Sequence, residues 1–231
     1  MSSSTLVSLV MSVYNAENSI DNSILSLLNQ TYENIEILIM NDGSTDKTSD
    51  KLTEYEKKHS SIRIFENTKN IGLTKSLNIL IHAANGEYIA RQDADDISYP
   101  SRIAKQVTVI NKYNLNFCSS RAIKNNKNSH IPGLSFYLPT KLLLRYKNPF
   151  IHGTLMIRRK DLLSIGLYDE DYYYSQDYKL ISDLIYMGYR YKVIREPLYV
   201  LNMENNISTN NRDKQAFYAD KIKKINRSRF K

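Results

Sequence analysis

Along its first hundred residues the chain alternates short apolar runs rich in β-branched side chains with stretches whose apolar positions recur every three or four residues. The first pattern suits strands buried in a sheet and the second suits helices with one inward face, so their alternation predicts βαβ units around a parallel sheet. Strands are expected over Leu6 to Val13, Ile35 to Met40, Ile62 to Phe65 and Glu87 to Arg91. The intervening helices turn Ile20, Ile24, Leu27 and Leu28, then Leu52 and Tyr55, then Leu73, Leu77, Leu80 and Ile81 toward that sheet. Ser98 and Pro100 offer the start of a further helix, whose buried face is Ile103, Val107 and Ile110.

Beyond Cys118 the pattern weakens. Asn125 to Ser129 reads as a polar, basic loop and Pro132-Gly133 as a turn. A short helix from Lys141 to Tyr146, a β-rich run from Thr154 to Ile157, a helix from about Asp177 to Met187 and two strands around Pro197 complete the body. No linker is visible, and 231 residues are enough to bury one sizeable core. The expectation is a single α/β domain: a Rossmann-like, mostly parallel central sheet flanked by helices, with a variable C-terminal portion.

Composition narrows this picture. With 42% hydrophobic residues, 24% charged residues, 7 Gly and 5 Pro, neither disorder nor a fibrous repeat is indicated. The single cysteine, Cys118, excludes an internal disulfide and reads as a buried, inert thiol. No apolar run approaches the roughly 20 residues of a membrane span, and the N-terminus MSSSTLVSLV lacks the basic start of a signal peptide. A cytoplasmic protein is expected. The net charge of +8 admits nucleic acid, an anionic membrane surface or phosphorylated ligands as partners. Part of the excess lies in Arg212 to Lys231, either a solvated helix packing Phe217 on the core or a basic face resting on anionic lipid headgroups.

In an open parallel sheet, ligands sit outside the carboxyl ends of the strands. The four expected ends carry Tyr14-Asn15, Asn41-Asp42, Asn67, and Gln92-Asp93 with Asp95. Asp93, Asp95 and Asp96 fall within four positions of one another, where like charges repel unless a cation or hydrogen-bonded ligand offsets them. On an extended segment Asp93 and Asp95 would face one crevice together, with Asp96 starting the next turn. The same residues could instead initiate a loop or cap a helix. There is no Gly-rich loop after the first strand and no GxxxxGK[ST] sequence. Phosphates bound at this edge would therefore be neutralised by a carboxylate-held Mn2+ or Mg2+.

Taken in order, Ser12-Val13-Tyr14-Asn15, NDGSTD at Asn41 to Asp46, KNIGLTKSLN at Lys69 to Asn78, GEYIARQDADD at Gly86 to Asp96, and the later GLYDE and SQDYKL resemble the family 2 glycosyltransferases. These are inverting enzymes of the GT-A fold that use nucleotide-diphosphate sugars, most often UDP-sugars. The match is dense over residues 5 to 110, resumes around Asn148 to Arg158 and Gly166 to Leu201, and is poor between. The resemblance implies a nucleotide-sugar-binding half over residues 1–110, an acceptor-binding half carrying the catalytic base over 111–205, and a basic C-terminal helix over 206–231.

By the same resemblance Tyr14 lies against the nucleotide base and Asp42 accepts a hydrogen bond from it, with Asn15 beside them. Asp93 reaches toward the ribose, Asp95 coordinates the divalent cation, and Arg91 and Lys75 help with phosphate charge. Asp177, in Ser175-Gln176-Asp177-Tyr178, matches the catalytic base, and His152 lies near the diphosphate or acceptor. From the residues alone Tyr14 equally suits a core aromatic, Asp42 a turn residue and Asp177 a carboxylate at a helix N-terminus. Two departures stand out: Gly153 where relatives often carry Pro, and Tyr199 to Met203 without the arginine that often follows the tyrosine. Tyr168, Tyr172, Tyr173 and Tyr174 precede Asp177 and suit either stacking of an acceptor sugar or a plain surface loop.

The implied partners are a nucleotide-diphosphate sugar and a glycan or lipid-linked acceptor, without nucleic acid, at or near the inner face of a membrane. Competing readings are a nucleotidyltransferase that makes the activated sugar, a basic nucleic-acid-binding protein whose acids are structural, and a sugar-nucleotide-binding subunit without turnover.

Overall fold

Alternating strands and helices form where the apolar periodicity places them. The computed structural model describes residues 4–125, 127–202 and 211–231. In its first half β1 (Val7–Val13), α1 (Ile20–Leu28), β2 (Ile35–Asn41), α2 (Thr48–Lys58), β3 (Ile62–Glu66), α3 (Leu73–Ala83) and β4 (Tyr88–Arg91) follow one another. All pairings here are parallel, in the order β3-β2-β1-β4, with Leu9 opposite both Ile37 and Ala90. Helices cover both faces of this sheet, so β1 and β2 are apolar almost throughout. Val10, Leu38, Met40 and Ile89 pack on one face with Leu77, Leu80 and Ile181. Leu9, Met11, Ile37 and Ile39 pack on the other with Ile24, Leu27 and Ile103.

The second half contains β5 (Ile97–Ser98), α4 (Arg102–Tyr113), β6 (Phe117–Lys124), β7 (Lys127–Ile131), α5 (Thr140–Leu143), β8 (Met156–Arg158), α6 (Arg159–Ser164), α7 (Gln176–Tyr186), β9 (Tyr191–Leu201) and α8 (Arg212–Arg229). Its strands extend the same sheet as β4-β8-β6-β9-β5. Here β8 is antiparallel to both β4 and β6, while β6 and β9 run parallel. The sheet is thus parallel in one half and mixed in the other.

Three local expectations change. Asn125 to Ser129 is no simple loop: β7 pairs antiparallel with β6 across the tight turn at Asn125, with Ile123 opposite His130. A polar edge hairpin carries no apolar alternation, so its strand content is silent in the sequence. The two strands around Pro197 are one, β9, whose register against β6 shifts where Pro197 meets Arg121. That irregularity accommodates a residue without an N–H to donate. Phe217 does not pack on the core and is 57% exposed. Helix α8 is anchored by the stripe Ile222, Asn226 and Phe230, and Phe217 lies five residues, about 140° round the helix, from Ile222. The expected boundary at residues 205 and 206, and Met203, lie outside the described residues.

Directly after β4 the chain folds back around a buried cation. Arg102 is wholly buried and donates to the Arg91 carbonyl (2.5 Å), Gln92 Oε1 (3.0 Å), Ser98 Oγ (2.7 Å) and Gln106 Oε1 (3.0 Å). Its guanidinium stands 5.1 Å from the centre of the Tyr199 ring. Burial lowers its pKa to about 10, so it stays charged near neutrality. Truncating it leaves several buried acceptors unmatched, each of which is expensive. Arg102→Ala should destabilise the domain by about 3 kcal/mol or more and lower the thermal midpoint by roughly 6–12 °C. Circular dichroism melting checks this, and a midpoint within error of wild type would contradict it.

Candidate functional site

Because β1, β2 and β4 run the same way, their C-terminal ends deliver polar side chains to one edge. Tyr14 follows β1 and is half exposed. Asn15 adopts a left-handed φ of 50°, a conformation Asn tolerates. Its N–H donates to Ser44 Oγ (3.0 Å) and its Oδ1 accepts from the Thr45 N–H (2.8 Å), which ties the loops after β1 and β2 together. Asp42 is buried, and it accepts from Asn67 Nδ2 (2.8 Å) and from the Ile71 and Gly72 N–H groups (2.9 Å each). A carboxylate offers about four acceptor positions, so one remains for a ligand. Gly72 has φ 93°, and a Cβ there would lie 2.5 Å from the Tyr173 ring, so Tyr173 closes over this corner. Lys75 projects from the exposed side of α3 with no ion pair among the described residues.

The acidic cluster is not an extended segment. The chain turns at Ala94 and Asp95, with the Asp96 N–H donating to the Asp93 carbonyl at 3.3 Å. Ser23 Oγ (2.9 Å) and Gln92 Nε2 (3.1 Å) also donate to that carbonyl, so buried donors force the bend. Asp96 does not open the turn but is buried behind it, accepting from the Asn202 N–H at 2.7 Å. Burial, then the charges of Asp93 and Asp95, hold its carboxyl well above the usual carboxylate range. Burial and the Asp93 charge likewise push Asp95 up to about 6. An enclosed carboxylate beside a like charge fits a cation. Among the described residues no group of three or more His, Cys, Asp or Glu could enclose a metal, so an ion at Asp95 would complete its shell with phosphate oxygens and water.

Arg91 supplies the counter-charge. It is buried, and its Nη2 donates to Asp93 Oδ1 at 2.6 Å while Nε and Nη1 find no partner among the described residues. Two buried, unmatched N–H donors suit an anion. Asp93 is fixed from the other side by its own N–H, which donates to Tyr199 Oη at 3.0 Å. A Cβ on Gly153 would lie 2.6 Å from Asp93 Oδ2 and 2.4 Å from Tyr199 Oη. Gly153 is therefore matched to this arrangement, and the absence of Pro here has a steric reason.

The late segment comes back to the same place. His152, in the 3₁₀ turn His152–Thr154, pairs through Nε2 with Tyr168 Oη at 2.8 Å. Enclosure, then the Arg91 charge, push His152 down to about 4, and burial raises the Tyr168 hydroxyl well above its usual value. Both are neutral near pH 7, and both feel the charges of Arg91, Asp93 and Asp177. Asp177 lies in the first turn of α7 and accepts from Asn148 Nδ2 at 2.7 Å. Arg91, Asp93, Asp95, His152 and Asp177 thus converge, with Tyr14 and Asp42 along the same edge, and Lys75 remains on the outer helix face. Sequence reasoning missed the parts that Asn148 and Tyr199 play in the site, and it offered Tyr168 for sugar stacking and not as the partner of His152. The density of motif around Asn148 and the tyrosine run at Tyr168 were the available signals.

Glycosyl transferase family 2 matches the chain over residues 8–166. An uncharacterized glycosyltransferase of Haemophilus influenzae is 35% identical over 217 residues, 81% of this chain and 62% of that protein. The UDP-Glc:alpha-D-GlcNAc-diphosphoundecaprenol beta-1,3-glucosyltransferase WfgD of Escherichia coli is 33% identical over 64% of this chain and 65% of its own length. The chain spans about three fifths of the length of the first curated relatives it matches, from 58% to 62%. Among solved structures, S. aureus TarS 1-349 in complex with UDP superposes with a TM-score of 0.77 at 18% identity, covering 95% of this chain and 64% of that one. The mannosyltransferase PcManGT of Pyrobaculum calidifontis in complex with GDP-Man and Mn2+ gives 0.71 at 22% identity, covering 92% and 61%. These likenesses establish the GT-A fold, and with the family match over most of its length the chain belongs to glycosyl transferase family 2.

Proposed function

We propose that the chain is a metal-dependent inverting glycosyltransferase that moves a sugar from a nucleotide-diphosphate donor, a UDP-sugar first of all, to a hydroxyl of a glycan or lipid-linked acceptor in bacterial surface polysaccharide synthesis. The observation that carries this reading is the Asp177 carboxylate, held at 2.7 Å by Asn148 and near enough to His152 that its charge acts on that ring together with those of Arg91 and Asp93. In this reading residues 1–110 bind the donor, while 111–205 bind the acceptor and carry the base. Inversion requires the acceptor oxygen to attack the anomeric carbon on the face opposite the diphosphate. A C–O bond forms there as the bond to the diphosphate oxygen breaks, and the hydroxyl proton passes to Asp177.

Asn148 orients the Asp177 carboxylate and leaves its other oxygen for that proton. Tyr14 offers an exposed ring to the nucleotide base, beside the remaining acceptor position of Asp42 and the loop tie made by Asn15. Asp93 faces the ribose, and the unmatched N–H groups of Arg91 attract the diphosphate. Lys75 adds diffuse positive charge from outside. A divalent cation, Mn2+ or Mg2+, on Asp95 would offset the charge of the leaving diphosphate. His152, kept neutral, lines the space between diphosphate and acceptor. The UDP in TarS, the Mn2+ beside GDP-Man in PcManGT and the lipid-linked acceptor named for WfgD support the same substrate classes.

Two outcomes test this. A nucleotide at about 100 times its dissociation constant adds roughly 2.7 kcal/mol, which raises the midpoint of a domain this size by roughly 5–10 °C. UDP with Mn2+ should give that shift in wild type and not in Asp95→Ala, as read by differential scanning fluorimetry; equal shifts in both would remove Asp95 from the metal. Asp177→Asn should lower kcat by roughly 100- to 10,000-fold while the UDP shift persists. Substantial residual transfer in a radiolabelled-sugar assay would move the base elsewhere.

A further inference from the structure

The positive charge of the chain is not confined to its C-terminal stretch. Residues 97–160 contain twelve Lys and Arg and no Asp or Glu. Within that span the segment from Leu134 to Lys147 exposes an unusual amount of apolar surface. Leu134 is 88% exposed and Tyr137 61%, and Leu138, Leu142 and Tyr146 are exposed as well. Lys141 and Lys147 are exposed among them. Arg195, from β9, lies over the Tyr137 ring at 6.0 Å, and Arg121, from β6, lies over the Phe136 ring at 5.2 Å.

This segment is not a loose strand of chain. Leu143, Leu144 and Phe150 are buried in the core beneath it. The Leu144 carbonyl accepts from Tyr178 Oη (2.5 Å) and from Asn226 Nδ2 (2.7 Å), which bolts the segment to α7 and α8. Its apolar side chains therefore point outward while their neighbours point in, and contiguous exposed apolar surface marks an interaction site. The composition identifies the partner. Leucines and tyrosines interspersed with lysine and arginine, and free of carboxylates, match what lies flat in the headgroup region of an anionic bilayer. A protein partner or a second copy of this chain would have to bury those cations against an acidic surface. Helix α8 is the weaker candidate: its one large exposed hydrophobic is Phe217, and Asp213 and Asp220 interrupt its basic residues.

We infer that residues 134–147 form a docking surface for an anionic phospholipid bilayer. The segment runs directly into Asn148, the residue that holds Asp177, so docking there brings the catalytic region close to the lipid surface. The inference stands on the surface itself and does not require the transferase reading, which the UDP-dependent thermal shift of the same variants reports separately.

Vesicle flotation tests it, with phosphatidylcholine vesicles carrying or lacking phosphatidylglycerol. Wild type should float only with the anionic vesicles. Leu134→Ser/Leu138→Ser/Leu142→Ser and, independently, Lys141→Glu/Lys147→Glu should each reduce binding by roughly tenfold or more. Lys221→Glu/Lys224→Glu/Arg227→Glu in α8 should float as wild type does. If the serine variant melts early, the charge variant still decides, since both its positions are exposed. Absence of wild-type binding, loss only with the α8 variant, or a wild-type dimer by light scattering that the serine variant dissociates would each overturn the inference.

Discussion

A single buried guanidinium sets the geometry on which the site is built. Arg102 holds the last carbonyl of β4 together with the side chains of Gln92 and Ser98, so the chain turns back immediately after Arg91. That turn brings the Asp93 N–H to Tyr199 and places Asp96 behind the cluster against Asn202. Strand β9, more than a hundred residues further along, is thereby joined to the acidic turn. A network of this kind is strong only when every member is matched, and here Gln106 and Gln92 supply the acceptors that a buried cation needs.

Around that frame the charges are arranged in opposition. Three carboxylates crowd one turn, and among the described residues the guanidinium that donates to one of them, Arg91 to Asp93, is itself buried and half matched. Burial first, and then the neighbouring carboxylates, make Asp95 and Asp96 resist ionisation, while burial keeps His152 and Tyr168 neutral. The site is thus under-compensated in both signs. It holds carboxylate charge that a cation would relieve and guanidinium N–H groups that an anion would satisfy.

The second half of the sheet contributes position more than charge. Asn148, Tyr178 and Asn226 link the segment before β8, helix α7 and helix α8 through buried hydrogen bonds. Asp177 sits at the head of α7, so whatever fixes that helix fixes the carboxylate. Two of these bonds end on the Leu144 carbonyl, so the exposed apolar segment 134–147 is anchored near its end to the helix that carries Asp177.

Much of this was legible in the chain itself. The period of Leu73, Leu77, Leu80 and Ile81, and the continuous apolar runs of β1 and β2, follow from burial on one helix face and on both sheet faces, so the βαβ half could be read locally. Asp42, Asp93 and Asp95 were visible because each stands just past a strand and a parallel sheet gathers such ends along one edge, whereas Asp177 stood out only through the family resemblance. The hairpin β6–β7, the unbroken β9 and the outward turn of Phe217 were not visible, since edge pairing and helix rotation are settled by contacts between distant segments. For the same reason no local pattern gives the partners of Asn148, Tyr168 and Tyr199 or the buried state of Arg91 and Arg102. Asn148, Tyr168 and Tyr199 act through hydrogen bonds across 16 to 106 positions of sequence, which exist only once the sheet has closed.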